Sequence, residues 1–414
     1  MSAIRGYVED LGRRARAASA ALARLSTEAK NAALLAMAEA VGREAASLEA
    51  ANRLDLDAAE RAGVSPAVRQ RLRLDGGVLA EIRDGLCQVA ALPDPVGEVL
   101  GEWERPNGLR ISKVRVPIGV IAMIYEARPN VTPDAAALCV KSGNAVILRG
   151  GREALHSNIA LARLLREASA ARGLPADSIQ LVERPEHEAV DELLTMNAWI
   201  DLVIPRGGEA LIRKVAERST IPVIKHYRGV CHVYVDREAE LGMAERIVVN
   251  AKAQKPAVCN AAETLLVHEG IAPAFLPRLA ALLAARGVEL RGDAAARAIV
   301  PGMTEATDSD WGREYLDLIL AVRVVKNLDE AAAHIARYGS QHSDAIVTED
   351  RDAAERFLRE VDSSAVFWNA STRFNDGGQF GMGAEIGIST DRIHARGPMA
   401  LPELTIYKIG RAHV

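Results

Sequence analysis

The strongest constraint on the fold is a unit of buried strand, glycine loop and helix that recurs along the middle of the chain. Apolar strand patterns occur at 119–124, 143–148, 179–182 and 200–204. The loop Arg149-Gly150-Gly151 follows the second strand pattern, Arg206-Gly207-Gly208 follows the fourth, and each loop opens a helix pattern. Strands that alternate with helices form parallel sheets, which bind ligands at the carboxyl ends of their strands. The pattern therefore predicts an α/β domain with a ligand-binding edge.

Further patterns flank this domain. A second α/β pattern runs from about 231 to 367, with strands near 232–235, 263–267, 319–325 and 344–347. Residues 2 to about 90 are predicted to be helical, with Thr27 as one helix cap, because apolar residues recur every three or four positions. A hairpin is predicted around Asn107-Gly108 and a last strand at 404–409. A chain of 414 residues exceeds one ordinary core, so two or three domains are expected.

Composition limits the class of protein. The chain is 49% hydrophobic and 26% charged with a net charge of −4, which is typical of a globular protein without general attraction for nucleic acid or anionic membranes. It contains neither an apolar run of membrane-spanning length nor a signal-peptide pattern. The four cysteines form no CxxC pair and the nine histidines no HExxH pattern, so neither a metal site nor a disulfide framework is predicted. A cytoplasmic protein with free thiols is expected.

Cys259 has the sequence context of a nucleophile. The amphipathic run from Leu241 to Ala253 precedes its segment and the apolar run Leu265-Leu266-Val267 follows it, which predicts a loop between a helix and a strand. A thiolate is the best side-chain nucleophile at neutral pH, and a loop can leave its sulfur accessible. A lone cysteine is more often buried filler, so the residues alone leave both interpretations open.

Polar and glycine residues after the strands indicate a second part of the site. Asn130 follows the first strand, where its amide could donate to an oxyanion or could simply cap the next helix. The loops at 149–151 and 206–208 would let the backbone approach a phosphate. Neither loop is a GxGxxG motif, and plain tight turns explain them equally well.

Over essentially its whole length, the chain resembles the aldehyde dehydrogenase superfamily. The resemblance is carried by the order and spacing of the segments at 116–132, 141–144, 148–151, 205–208, 225–227, 229–234, 255–261 and 369–374. It implies an aldehyde dehydrogenase-like α/β fold with two Rossmann-like parallel-sheet domains and a small β oligomerisation element. The implied parts are a cofactor-binding domain with the hairpin 99–116 as an oligomerisation arm, a catalytic domain, and a return segment with an oligomerisation strand: 1–230, 231–367 and 368–414.

The resemblance implies roles for individual positions. Cys259 matches the nucleophile and Asn130 matches the oxyanion-stabilising amide. Arg149 matches a basic residue on the adenosine side of the cofactor, where an arginine suits the 2′-phosphate of NADPH. The remaining implied cofactor contacts are Gly150, Gly207 and Gly208 near the phosphates and Glu314 at the nicotinamide ribose.

The implied reaction is the NADPH-dependent reduction of L-glutamyl 5-phosphate to L-glutamate 5-semialdehyde and phosphate through a cysteine thioester, in proline biosynthesis. Relatives that oxidise aldehydes carry a glutamate base before the catalytic domain. Here that stretch reads Lys225-His226-Tyr227-Arg228-Gly229, without a carboxylate, although His226 could act as a base. Anchors for the anionic substrate are expected among residues that solvated surface charge would explain equally well: Arg128, Lys225, Lys255, Arg373 and Arg396.

Two other interpretations stay open from the sequence. One is an NAD(P)-dependent enzyme that oxidises a free aldehyde, and the other is a non-catalytic protein on the same fold. A homo-oligomer, either a dimer or a tetramer, is expected, with no nucleic acid, membrane or metal partner. Contact with glutamate 5-kinase is chemically sensible, because the acyl phosphate that the kinase makes is unstable.

Overall fold

The computed structural model describes residues 2–410, and the chain divides into two compact units. The first unit contains the chain up to Lys225, Gly381–Gly387 and the chain from Met399 onwards. The second unit contains His226–Phe380 and Ile388–Pro398. The three functional segments expected from the sequence stay a prediction.

The first unit combines helices with two sheets. Its helices are α1 (Ala3–Leu22), α2 (Thr27–Arg43), α3 (Ala45–Arg61), α4 (Pro66–Leu72), α5 (Gly76–Ala91), α6 (Val131–Lys141), α7 (Leu155–Ala170), α8 (His187–Leu193) and α9 (Glu209–Arg218). Its strands are β1 (Val99–Glu104), β2 (Arg110–Pro117), β3 (Val120–Tyr125), β4 (Ala145–Arg149), β5 (Ile179–Leu181), β6 (Leu202–Arg206) and β16 (Thr405–Ile409).

The larger sheet of this unit is parallel, with strand order β5–β4–β3–β6. Every residue of β3 is buried, as expected for a parallel strand covered on both faces. Val8 of α1 and Leu193 of α8 lie in the same apolar cluster as Val120 and Ile124 of β3. The smaller sheet is antiparallel, with order β1–β2–β16. The predicted parallel sheet and hairpin are thus confirmed.

The second unit is built on one large parallel sheet. Its helices are α10 (Leu241–Ala253), α11 (Ala272–Ala284), α12 (Ala294–Ile299), α13 (Asp308–Trp311), α14 (Leu328–Tyr338) and α15 (Arg351–Glu360). Its strands are β7 (Cys231–Val235), β8 (Ala262–His268), β9 (Glu289–Gly292), β10 (Thr304–Glu305), β11 (Ile319–Val325), β12 (Ser343–Val347), β13 (Ala365–Trp368), β14 (Ile388–Ser389) and β15 (Gly397–Pro398).

The large sheet has the order β10–β9–β11–β8–β7–β12–β13, and β14 pairs with β15 apart from it. Its core joins Val233 of β7 and Leu265 of β8 to Phe275 and Leu279 of α11. Strand β7 lies between β8 and β12, so the segments that precede these three strands reach the same edge of the sheet. Among the described residues, no helix is both long enough and apolar enough to cross a membrane.

Candidate active site

Cys259 lies on the loop between α10 and β8, as the sequence predicts. The helix ends at Ala253 and the strand begins at Ala262, and the turn is closed by a hydrogen bond from the Ala261 N–H to the Val258 carbonyl at 3.1 Å. Cys259 is partly exposed, whereas Cys139 and Cys231 are buried and Cys87 is exposed. Of the four cysteines, Cys259 is therefore the one that lies on a defined loop and is partly exposed to solvent.

Hydrogen bonds fix the Cys259 loop on both sides. The Cys259 carbonyl accepts the Cys231 S–H at 3.2 Å. The Asn260 carbonyl accepts the Thr372 hydroxyl at 2.8 Å, and the Asn260 amide donates to the Asn375 carbonyl at 2.9 Å. A thiol on a loop held in this way loses little further conformational freedom when it reaches a reactive geometry.

Gly229 lies directly against the same loop. A Cβ atom at Gly229 would be 2.5 Å from the Cys259 carbonyl carbon and 2.7 Å from its Cα, closer than packed atoms approach. The Gly229 N–H donates to Glu314 Oε1 at 2.8 Å. The glycine thus allows the segment before β7 to touch the Cys259 loop, and it orients the glutamate predicted to contact the cofactor.

Two imidazole rings lie close to Cys259 Sγ. One ring nitrogen of His226, one of His342 and Cys259 Sγ all lie within 4.8 Å of one another. The two rings meet edge to face, with 5.2 Å between their centroids. His342 is fully buried. The sequence interpretation included His226 as a possible base but missed His342, because nothing in its local pattern marks it.

Sheet topology explains why these three residues meet. His226 precedes β7, Cys259 precedes β8 and His342 directly precedes β12, and the three strands are parallel neighbours. Their preceding segments therefore converge at the amino edge of the sheet. The general rule for parallel sheets places ligands at the carboxyl edge, so the Cys259 cluster lies at the opposite edge from the one this rule indicates.

A buried ion pair lies next to this loop in the sequence. Lys252 Nζ is 2.6 Å from Glu263 Oε2, and both side chains are fully buried. Burial raises the pKa of Glu263 to about 7, partly opposed by Lys252. Glu263 also accepts the Leu316 N–H at 3.2 Å. The pair thereby ties α10, β8 and the segment that carries Glu314 together.

The predicted phosphate loop of the first unit already holds a carboxylate. The Gly208 N–H, at the start of α9, donates to Glu126 Oε2 at 2.8 Å. A Cβ atom at Gly207 would lie 2.5 Å from the same oxygen. The loop therefore has the donor and the steric space that an anion needs, which fits the phosphates of a dinucleotide.

Arg149 ends β4 and is only 7% exposed. Its guanidinium donates to the Gly150 carbonyl at 2.9 Å and to the Pro185 carbonyl at 3.1 Å. Its Nε is buried and has no hydrogen-bond partner within residues 2–410. Burial lowers the pKa of Arg149. A Cβ atom at Gly150 would overlap the Asn158 amide, so this glycine is required by the packing of the loop.

Asn130 is the N-terminal cap residue of α6, but within the described part of the chain its side chain makes no capping hydrogen bond. Asp134, one helical turn further along α6, is exposed. The amino terminus of α6 therefore does not hold the Asn130 amide through a cap.

The expected substrate anchors differ in their surroundings. Three of them are exposed or partly exposed on the chain: Arg128, Lys225 and Lys255. Arg373 contacts Asn260 and donates to Gln254 at 3.3 Å, so it lies on the Cys259 loop. Arg396 pairs with Asp362 at 2.7 Å. Within the second unit, Arg373 is thus the arginine that the structure brings to the nucleophile loop.

Known proteins resemble the chain over nearly its full length. The model of the aldehyde dehydrogenase family matches residues 5–306. The chain is 60% identical over 403 residues to the γ-glutamyl phosphate reductase of Opitutus terrae, covering 96% of this chain and 95% of that protein. It is 56% identical over 394 residues to that of Geotalea daltonii, covering 95% and 94%.

Solved structures show the same relationship. The crystal structure of γ-glutamyl phosphate reductase from Thermotoga maritima has a TM-score of 0.96 at 46% identity and covers 98% of this chain and 99% of that chain. An acetylating aldehyde dehydrogenase from Geobacillus thermoglucosidasius has a TM-score of 0.69 at 18% identity, covers 99% and 97%, and shares the fold alone. The fold class predicted from the sequence is therefore confirmed.

Proposed function

The chain belongs to the aldehyde dehydrogenase family and, within it, to the γ-glutamyl phosphate reductases, and from this premise we propose that it reduces L-glutamyl 5-phosphate to L-glutamate 5-semialdehyde and phosphate. It is an oxidoreductase that acts on a small molecule with a nicotinamide cofactor. One structural observation carries the proposed mechanism: Cys259 is a partly exposed thiol on a loop fixed from both sides, with two imidazoles beside it.

In the proposed reaction, the Cys259 thiolate attacks the acyl carbon of the substrate. The bond from that carbon to the phosphate oxygen breaks, inorganic phosphate leaves with the bonding electrons, and a thioester forms. His226 and His342 are the proposed acceptors of the thiol proton, because an imidazole nitrogen with a lone pair accepts a proton and both rings lie beside the sulfur. Residues 225–229 contain no carboxylate, and this supports reduction of the thioester over its hydrolysis.

NADPH supplies the hydride for that reduction when it is bound. Gly207 and Gly208 are the proposed contacts of its pyrophosphate, and the Gly208 N–H that donates to a carboxylate supports this role. Arg149 is proposed to face the 2′-phosphate, supported by its buried Nε, which has no acceptor among the described residues. Gly150 gives this loop its shape, and Glu314 is proposed to hold the nicotinamide ribose.

Asn130 is the proposed oxyanion-stabilising amide, and its role makes a prediction about rate. Loss of one oxyanion-hole donor typically costs about a hundred- to a thousandfold in kcat. We expect Asn130→Ala to fall in that range while Cys259→Ala is inactive, as measured by steady-state turnover. Near-normal turnover of Cys259→Ala would show that the mechanism is wrong.

Assembly, location and anchors complete the proposal. The proposed parts are a cofactor-binding part over 1–230, a catalytic part over 231–367 and an oligomerisation segment within 368–414. The proposed location is the cytoplasm, and the proposed partner is glutamate 5-kinase. Exposed Trp103 and Tyr407 on the β1–β2–β16 sheet support a homo-oligomer. Proposed substrate anchors are Arg128, Lys225, Lys255, Arg373 and Arg396, and Arg373 has the strongest support because it contacts the Cys259 loop.

The deciding experiment runs the reaction backwards. Protein is incubated with glutamate 5-semialdehyde, NADP⁺ and phosphate, and NADPH is followed by absorbance. NADPH should form only with phosphate, should fail to form in Cys259→Ser, and should form normally in Cys87→Ser, which changes an exposed cysteine. NADPH formation without phosphate would indicate an aldehyde dehydrogenase that uses water. No signal with any anion, with NAD⁺ also tried, would overturn the proposed substrate.

A further inference from the structure

We propose that Cys259, His226 and His342 form a binding site for Zn²⁺ or a similar soft divalent cation. One ligand atom from each residue lies within 4.8 Å of the other two. A thiolate with two neutral imidazoles is the donor set that zinc prefers, with bond lengths of about 2.0 to 2.3 Å. Tetrahedral bonds of that length separate two nitrogens, or a nitrogen and a sulfur, by about 3.3 to 3.6 Å. Rotation of the partly exposed Cys259 side chain would bring its sulfur to that distance from the rings.

The contacts of His226 already match those of a metal ligand. Its Nδ1 is 2.8 Å from the Ile388 carbonyl oxygen. A carbonyl only accepts, so Nδ1 carries the hydrogen of the neutral ring and the lone pair is on Nε2. A metal-binding histidine almost always makes such a contact through its other nitrogen, because this fixes the tautomer and the ring orientation.

The buried ring of His342 gives a second, independent observation that supports cation binding. The residue is fully buried, and its Nδ1 lies 2.8 Å from Ser343 Oγ. Its Nε2 is buried and has no hydrogen-bond partner in the part of the chain that the structure describes. A buried polar atom left unsatisfied is costly. A cation that the His342 ring binds through Nε2 would satisfy this nitrogen.

The ligand spacing explains why the sequence predicts no metal site. The three residues belong to separate segments before β7, β8 and β12, so they form none of the short motifs that identify zinc sites. Three protein ligands leave a fourth position for water. The site is therefore of the exchangeable kind, in which a cation binds and leaves without unfolding the protein.

Cation binding requires only this geometry and does not depend on the catalytic role of Cys259. Its consequence does rest on the proposed function: a thiolate that shares its electron pair with Zn²⁺ attacks an acyl phosphate far more slowly than a free thiolate. The site would then make the reductase sensitive to free zinc, and a chelator would restore its activity.

The first test uses Co²⁺ as a spectroscopic probe for the metal-free, reduced full-length chain. We expect one Co²⁺ per chain, with the thiolate charge-transfer and d–d bands of a tetrahedral site, and loss of those bands when Zn²⁺ is added. Cys259→Ser should abolish the charge-transfer band, and His342→Gln and His226→Gln should weaken binding at least about tenfold. Cys87→Ser and His268→Ala are matched controls, since His268 lies at the far end of β8.

The outcomes separate the two proposals. Absence of the bands in the wild-type chain, or their persistence in both Cys259→Ser and His226→Gln, would overturn the metal site. His226 is partly exposed, so its variant keeps the test valid even if His342→Gln fails to fold. Zn²⁺ binding that protects Cys259 from alkylation supports the site. If such binding leaves reductase activity unchanged, the metal site stands and the catalytic role of Cys259 is wrong.

Discussion

At the scale of single residues, Gly229 packs directly against the Cys259 loop. A Cβ atom there would overlap the Cys259 backbone, and the loop would have to move by an appreciable part of an ångström. A displacement of about 1 Å at a reacting group can cost about a hundredfold in rate. We therefore expect Gly229→Ala to lower kcat by about that factor, measured by steady-state kinetics, with the chain still folded.

Gly85 is the matched control for this substitution. It lies inside α5, and a Cβ atom there would meet nothing within 4 Å. Gly85→Ala should keep full activity, because alanine favours a helix over glycine. Equal activity of Gly229→Ala and wild type would show that the close contact does not position the thiol.

Glu126 competes with the phosphates at the proposed cofactor loop. Its carboxylate accepts the Gly208 N–H at 2.8 Å, and its negative charge opposes a second anion at the start of α9. Charges at a helix N-terminus are worth about 1 kcal/mol, or about fivefold in affinity. Glu126→Gln should therefore lower the KM for NADPH by about fivefold, whereas Glu102→Gln on the exposed β1 strand should not. An unchanged KM in Glu126→Gln would argue against phosphate binding at Gly208.

At the scale of secondary-structure elements, the Lys252–Glu263 pair joins the end of α10 to the start of β8. Both side chains are fully buried, so removal of Lys252 leaves the Glu263 carboxyl group in the interior without its ion-pair partner. Such losses cost about 3 to 5 kcal/mol. We expect Lys252→Met to lower the free energy of unfolding by about this amount in urea titrations.

Two further variants isolate the effect of the buried carboxyl group. The double variant Lys252→Met with Glu263→Leu should be more stable than Lys252→Met alone, because it leaves no buried carboxyl group without its partner. Arg351→Met, which removes an exposed pair with Glu355, should leave the urea midpoint unchanged. Simple additivity of the two buried substitutions would contradict this explanation.

Sequence patterns predicted elements well where the signal is local. Helix α10 ends at Ala253, as its amphipathic run predicts, and β8 follows the Cys259 loop. The predicted cap of α2 was wrong by one position: Ser26 accepts the Ala29 N–H, while the Thr27 hydroxyl donates to Asp94. A distant carboxylate decided the role of Thr27, and no local pattern records such a contact.

The candidate site shows the same limit more sharply. Cys259 was found because its loop and a family resemblance single it out. His342 was missed because its closeness to the sulfur depends on β12 pairing beside β7. The order of strands in a parallel sheet is a long-range property. A pattern of apolar residues identifies each strand but does not say which strands are neighbours.

At the scale of the whole molecule, local groups and not the net charge must attract the anionic substrate and cofactor. The net charge is −4, so the chain as a whole does not attract an anionic acyl phosphate or NADPH. Each unit supplies its own groups: the first offers the Gly208 N–H and Arg149, and the second offers Arg373 on the Cys259 loop. Salt should therefore weaken substrate binding through these contacts without altering the fold.

Acid stability of the molecule should depend on His334, which is buried between aromatic rings in the second unit. Its Nδ1 accepts a hydrogen bond from the Arg323 guanidinium at 3.2 Å. Burial, together with the nearby His232, Arg323 and Arg337, lowers its pKa to about 3. Below about pH 6.5 the unfolded chain binds a proton at this residue and the folded chain does not. Stability that is complete above pH 6.5 is therefore lost as the pH falls toward 3.

The size of this loss can be measured. Between pH 6.5 and 5, linkage for this one group predicts a loss of about 1.5 kcal/mol in the free energy of unfolding. His334→Gln keeps an acceptor for Arg323 but cannot titrate, so its urea midpoint should fall less over that interval than the wild-type midpoint. His187→Gln, at an exposed position, should keep the wild-type slope. Parallel curves for wild type and His334→Gln would mean that the buried ring takes up its proton in the folded state.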